Sequence, residues 1–241
     1  MYTRMQIAMT AVAPSCLEAW RKRIGSLPSD VGERYNTALL TPRDWASHFK
    51  NVLHRTLMVR SITTGEPCRC CGFARENLTH FAECEVAGKI FDDLREMAGV
   101  AKLVGEEQVA RFALFALLPK GKVAKGWVNF HLLLWKHLVA AIVRVELEGE
   151  KFECKNVWAP SWVRFEKKTL ALAERVAMEK RRADGRGAKC RDLSSRSAQI
   201  EPLAEFSENG ELVWNDDLVK KIKALACIKG KKGSAAADGG D

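Results

Sequence analysis

A chain of 241 residues, 47% hydrophobic and 29% charged, carries enough apolar material for a buried core and too much for a disordered tract. Its 39 Lys and Arg against 30 Asp and Glu leave a formal charge of +9, which points to a phosphate-rich partner more than to general solubility. Residues 151–200 hold thirteen Lys or Arg and six Asp or Glu, a local surplus of seven that accounts for most of the imbalance.

In chain order, residues 1–42 read as a partly helical N-terminal segment. MYTRMQIAMTAVAPSC has a short apolar run interrupted by Gln6 and Thr10, a poor secretory signal. A helix fits 16–24, and GSLPSDVGERYN at 25–36 is loop-like. Residues 43–100 form a second unit, a helix, a cysteine-rich knuckle and a helix. Asp44 stands near the start of the first helix, and Trp45, Phe49, Val52, Leu53 and Leu57 recur at three- and four-residue steps toward Arg60. Beyond Cys84, the residues Val86, Ile90, Leu94 and Met97 share one helical face beside Phe91, and Gly99 is the stop.

Residues 101–182 predict a helical bundle. EEQVARFALFALLP gives a helix ended by Pro119. WVNFHLLLWKHLVAAIVRVEL at 127–147 is apolar, but Asn129, His131, Lys136, His137 and Arg144 make it a buried core helix and no membrane span. A further helix is expected from Pro160 to Arg182 through Val163, Leu170, Leu172 and Val176. Residues 183–241 predict a flexible basic linker to about Glu208, one amphipathic helix over 211–229 and a disordered tail. Strand signals are sparse. The expected fold is all-α, with a small zinc knuckle packed into a bundle of amphipathic helices.

The sharpest chemical signal is CRCCGFARENLTHFAEC, 68–84. Cys68-x-x-Cys71 followed by Gly72 lets two thiolates hold one ion while turn amides point at the sulfurs. His80 and Cys84 are four residues apart, so a helix projects both from one face, leaving Leu78 and Phe81 to pack inward. The expected set is Cys68, Cys71, His80 and Cys84, closed and tetrahedral, holding one structural Zn2+ per chain with no open position. Cys70 is either a substitute ligand for Cys68 or Cys71 or a spare reactive thiol. A redox C-x-x-C belongs near a βαβ pattern, which is absent here. The clustering of cysteines argues against a secreted disulfide framework and for an intracellular location, nuclear or cytoplasmic.

C-x-x-C-G, the acidic Glu76, L-T-H-F at 78–81 and Cys84 before an amphipathic helix resemble the zinc-binding region C-terminal to the reverse transcriptase of non-LTR (LINE-type) retrotransposons. HRTLMVRSITTGEP at 54–67 resembles the helix and turn that lead into that knuckle, and LLLWKHLVAAIVR the hydrophobic helix that follows it. The resemblance covers about residues 43–148. It implies a zinc-stabilised part of a reverse transcriptase polyprotein. The polymerase's aromatic-x-Asp-Asp hairpin has no convincing counterpart: Asp92-Asp93 lies within a helix pattern and Asp216-Asp217 begins one. The expectation is therefore a non-catalytic nucleic-acid-binding module, no enzyme by itself. Lys167, Lys168, Lys180, Arg181, Arg182, Arg186, Lys189 and Arg191 are the candidate contacts to RNA or DNA. The alternative is a host protein-protein interaction module that uses the same zinc staple, with the basic pairs serving as a nuclear address or a solvated helix face.

Overall fold

The computed structural model describes residues 14–28, 31, 37, 39–53, 65–73, 75–184 and 193–227. Along them run α1 (Pro14–Ile24), α2 (Pro42–Ser47, continued by a π-helical turn His48–Leu53), α3 (His80–Glu83), α4 (Ala87–Met97), α5 (Glu106–Phe115), α6 (Lys125–Glu148), α7 (Lys155–Asp184) and α8 (Leu193–Ser197). A two-stranded antiparallel hairpin, β1 (Ala204–Phe206) with β2 (Leu212–Trp214), pairs Glu205 with Val213, and α9 (Asp216–Leu225) follows. The fold is mainly α, as expected.

Helix α6 is the axis of the core. It is apolar because most of it is enclosed: Trp127, Phe130, Leu133, Leu134, Trp135, Leu138 and Ile142 are buried. It is long and apolar enough to cross a membrane by composition, yet 61% of its most apolar window is buried inside the protein. Helix α7 lies along it, with Phe130 edge-on to Phe165 at 5.5 Å and tilted against Trp158 at 5.7 Å. On the other side Phe91 of α4 stacks on Trp135 at 5.0 Å, and Phe81 of α3 meets the same indole at 6.5 Å.

Helix α5 ends at Phe115, short of Pro119, because Ala116 turns left-handed at φ 50°. The last carbonyls of a helix have no partner within it. Here side chains supply them: His131 Nε2 and Trp135 Nε1 both donate to Ala113 O at 2.8 Å, and His48 Nε2 donates to Leu114 O at 2.5 Å. A carbonyl only accepts, so both imidazoles carry the Nε2 proton. These buried histidines cap a helix. The remaining one of the long helix, His137, is half-buried.

Helix α7 starts at Lys155, so Pro160 sits inside it and not at its beginning. The ring leaves Asn156 O without its usual donor. Burial of Val157, Trp158, Trp162 and Phe165 on either side outweighs that loss. Leu172 and Val176 are buried as expected, whereas Val163 and Leu170 face solvent, 55% and 48% exposed. The buried face is set by the tryptophans. The helix expected from about Pro42 toward Arg60 forms as α2 and widens into a π turn at His48–Leu53, and its expected end falls in 54–64, outside the described residues.

The expected linker and helix of the C-terminal region need the largest correction. Within 193–208, α8, a turn and β1 are ordered, and Ile200, Leu203 and Ala204 are fully buried. Asn129 Nδ2 donates to Gln199 O at 2.8 Å and Gly126 N to Glu201 O at 3.1 Å, tying this segment to the start of α6. The helix placed over 211–229 begins only at Asp216, where Asn215 Oδ1 accepts from Leu218 N, because Leu212–Trp214 is a strand. Residues 228–241 lie outside the described residues.

Candidate metal centre

Cys68 is the first residue of a tight turn. Gly72 N donates to Cys68 O at 2.8 Å, and Gly72 takes φ +75°, which only glycine adopts at little cost. Cys70 N points at Cys68 Sγ, 3.4 Å away. A backbone bridge between Pro67 and Arg75 closes the base of the loop.

The second pair of candidate ligands comes from α3 and the residue that ends it. Asn77 Oδ1 accepts from Thr79 Oγ1 at 2.6 Å and from His80 N at 2.8 Å, so Asn77 starts the helix that carries His80. One turn later Cys84 N donates to His80 O. Cys84 then repeats the geometry of Cys68: Gly88 N donates to Cys84 O at 2.7 Å, and Ala87 N approaches Cys84 Sγ at 3.4 Å. A Cβ on Gly88 would lie 2.6 Å from Ala82 O, so the chain must pass there without a side chain. This second thiolate-facing turn has its own sequence signal, a glycine four residues after a cysteine in both places.

The outcome is one cluster. A ligand atom from each of Cys68, Cys71, His80 and Cys84 lies within 4.8 Å of the other three. Cys71 Sγ and His80 Nε2 are 3.5 Å apart. Tetrahedral bonds of about 2.3 Å to sulfur and 2.0–2.1 Å to nitrogen put sulfur–nitrogen edges at roughly 3.6 Å and sulfur–sulfur edges at roughly 3.8 Å. The four residues can hold a metal ion. Cys70 stands outside the set, half-buried, and the described cysteines form no disulfide.

Electrostatics give the same reading. The neighbouring Cys70 and burial push the Cys68 thiol up to about 12 against a relieving contact from Cys84, while Cys68 and burial push Cys84 up as well. Clustered thiols resist ionising together without a cation, and a bound dication reverses that.

Glu76 locks the loop. Its carboxylate is fully buried and accepts from Arg69 N at 3.0 Å and from Arg69 Nε at 2.9 Å, with a further contact to the guanidinium. Arg69 also reaches Glu146 near the end of α6, at 3.7 Å. Leu78 and Phe81 are buried, anchoring the loop to the core as expected.

The candidate phosphate contacts are dispersed. Lys168 lies 3.4 Å from Asp44, a fully buried carboxylate that also receives Lys136 Nζ at 3.0 Å and Arg164 Nε at 2.8 Å. Asp44 doubles as the acidic partner in a capping box with Thr41. Lys180 donates to Asn209 O at 2.6 Å. Lys167, Arg181 and Arg182 are exposed on α7, and Arg186, Lys189 and Arg191 lie outside the described residues. On α4, Asp93 pairs with Lys89 and Asp92 with the buried Arg95, while Asp216 and Asp217 occupy the first turn of α9. Against family models, curated proteins and solved structures, the chain finds no match.

Proposed function

We propose that this chain is a non-catalytic, zinc-stapled nucleic-acid-binding module, and that it derives from a retrotransposon reverse transcriptase polyprotein. The observation that carries it is the closed Cys3His cluster built into the core. Three thiols and an imidazole in tetrahedral proximity suit Zn2+ above harder ions, and four protein ligands leave no position for substrate. The metal fixes the knuckle against α4 and α6. The exposed cations of α7, with the basic residues that follow, supply sequence-independent affinity for RNA or DNA in the nucleus or cytoplasm. The retroelement origin rests on the motif resemblance of residues 43–148.

Metal content and salt-dependent binding test this. Purified without added metal, the chain should carry about one zinc, and Cys84→Ser should lose it. Affinity for RNA and DNA should fall steeply with salt, since each phosphate contact adds close to one unit of log–log slope. A metal-free chain, or binding indifferent to salt, overturns the reading. The alternative, a host protein-interaction module, is favoured by one observation: Val163, Leu170 and Met178 form an exposed apolar row along α7. Salt-insensitive association through that row would support it.

A further inference from the structure

Phe73 is the most exposed large apolar side chain among the described residues, at 85%. It follows Gly72 at the outer end of the metal loop. The loop cannot easily fold the ring away. Two candidate ligands, Cys68 and Cys71, lie in the turn just before it. The Pro67–Arg75 bridge and the buried Glu76–Arg69 pair hold its other side. A flat aromatic ring is thus presented to solvent on a short, pinned segment, which lowers the entropy lost when something binds it.

The surroundings define what that something is. Apolar protein interfaces gather several large anchors in one desolvated patch. Within 65–77 Phe73 is the sole large apolar side chain facing solvent, and its neighbour Arg75 is exposed and makes no ion pair among the described residues. The other arginine of the loop, Arg69, is committed to Glu76 and Glu146. An exposed ring and an exposed cation two positions apart in the sequence, on a chain of charge +9, match the way unpaired nucleic acid is held: a base stacks on the ring and the cation meets the adjoining phosphate.

We propose that Phe73 is a stacking platform for an unpaired nucleobase, with Arg75 as the cation for the adjacent phosphate. The proposal rests on the nucleic-acid reading above and adds to it a preference: a duplex hides its base faces, so this contact selects single strands.

The test uses the full-length, zinc-loaded chain with fluorescein-labelled 12-nucleotide single-stranded RNA, single-stranded DNA and the matching duplex at one fixed salt concentration. Phe73→Ala should keep its zinc and thermal midpoint, weaken single-strand binding about tenfold, the size of one lost stack, and change duplex binding by less than about twofold. Phe73→Trp should restore single-strand affinity. Its indole should be open to iodide quenching and become protected when the single strand binds. Six of the seven native tryptophans, Trp20, Trp45, Trp127, Trp135, Trp158 and Trp162, are buried, and the half-buried Trp214 is also present in the parent, whose quenching is subtracted as the reference. Should Phe73→Ala lose zinc, Phe73→Trp alone decides.

Equal single-strand affinity in parent and Phe73→Ala overturns the stacking platform and leaves the nucleic-acid reading standing on the basic helix. Quenching of Phe73→Trp that single strands do not alter also overturns it. A parent chain that binds neither strand form overturns both.

Discussion

Arg69 and Glu76 hold one another across the metal loop through two kinds of group at once, the Arg69 backbone amide and its guanidinium, with the carboxylate wholly removed from solvent. Such a pair adds little net stability over apolar packing, yet breaking it is costly, because the surviving charge stays buried without its partner. Glu146, at 3.7 Å and half exposed, replaces the lost carboxylate poorly.

Glu76→Gln should therefore destabilise the protein by about 3–5 kcal/mol, read from denaturant unfolding of the metal-loaded chain. The double variant Arg69→Met with Glu76→Leu should recover most of that loss. If the single variant costs under about 1 kcal/mol, the pair does not pin the loop.

Cys70 is a bystander to the cluster, so Cys70→Ser should retain the metal stoichiometry of the parent, whereas Cys71→Ser should lose it. Chelation should lower the thermal midpoint of parent and Cys70→Ser alike, since a structural metal contributes its binding energy to folding. Loss of metal in Cys70→Ser would place that sulfur among the ligands. Metal analysis beside a chelator titration of thermal unfolding decides.

The clustering of Cys68, Cys71, His80 and Cys84 was legible in the sequence because it rests on local spacing: two cysteines on one turn, then His80 and Cys84 one helical turn apart. The core face of α4 was legible for a related reason, the repeat of apolar residues at helical period, and α6 from its long apolar run. What sequence patterns missed is non-local. Pro160 reads as a helix start until Trp158 and Trp162 are seen buried on both sides of it. Ile200 and Leu203 lie in a polar stretch without periodicity, and only the approach of Gly126 and Asn129 explains their burial. Lys168 reads as a phosphate contact, while the fold turns it toward Asp44, 124 positions earlier in the chain.

The same cations make stability depend on pH in two separate windows. Burial, then Lys136, Arg164 and Arg144, hold the His137 imidazole down at about 4 against a weaker opposing pull from Asp44, and its Nε2 has no hydrogen-bond partner among the described residues. An unfolded histidine titrates near 6.5, so between about pH 6.5 and 4 the unfolded chain binds a proton that the folded one refuses. Stability should fall with pH there, by up to about 1.4 kcal/mol per unit. Burial raises the Asp44 carboxyl, but hydrogen bonds from Arg164, Thr41 and Lys136 outweigh it and hold the group well below the usual carboxylate range. Its contribution is whole above the unfolded value near 3.9 and is lost only below it. His137→Gln should flatten the upper window and leave the lower one. The difference between parent and variant isolates this group, because acid release of metal affects both. A difference curve flat from pH 7 to 4 would contradict it.

Gly126 is the position at which the start of α6 rests against the 199–201 turn. In an ordinary helix a Gly→Ala change stabilises by up to about 1 kcal/mol. Here a Cβ would stand 2.2 Å from Glu201 O and 2.6 Å from the Ile200 carbonyl, and backbone cannot swing aside as a side chain end would. The hydrogen bond from Gly126 N to Glu201 O makes separation costlier still. Gly126→Ala should reverse the usual sign and destabilise by about 1–3 kcal/mol, the range for overpacking. The damage should concentrate in the segment 197–206 and in the hairpin, with amide exchange there accelerating while α4 and the metal loop stay protected. A neutral or stabilising Gly126→Ala would mean that the 199–201 turn does not rest on α6. The burial of Ile200 and Leu203 would then need another support.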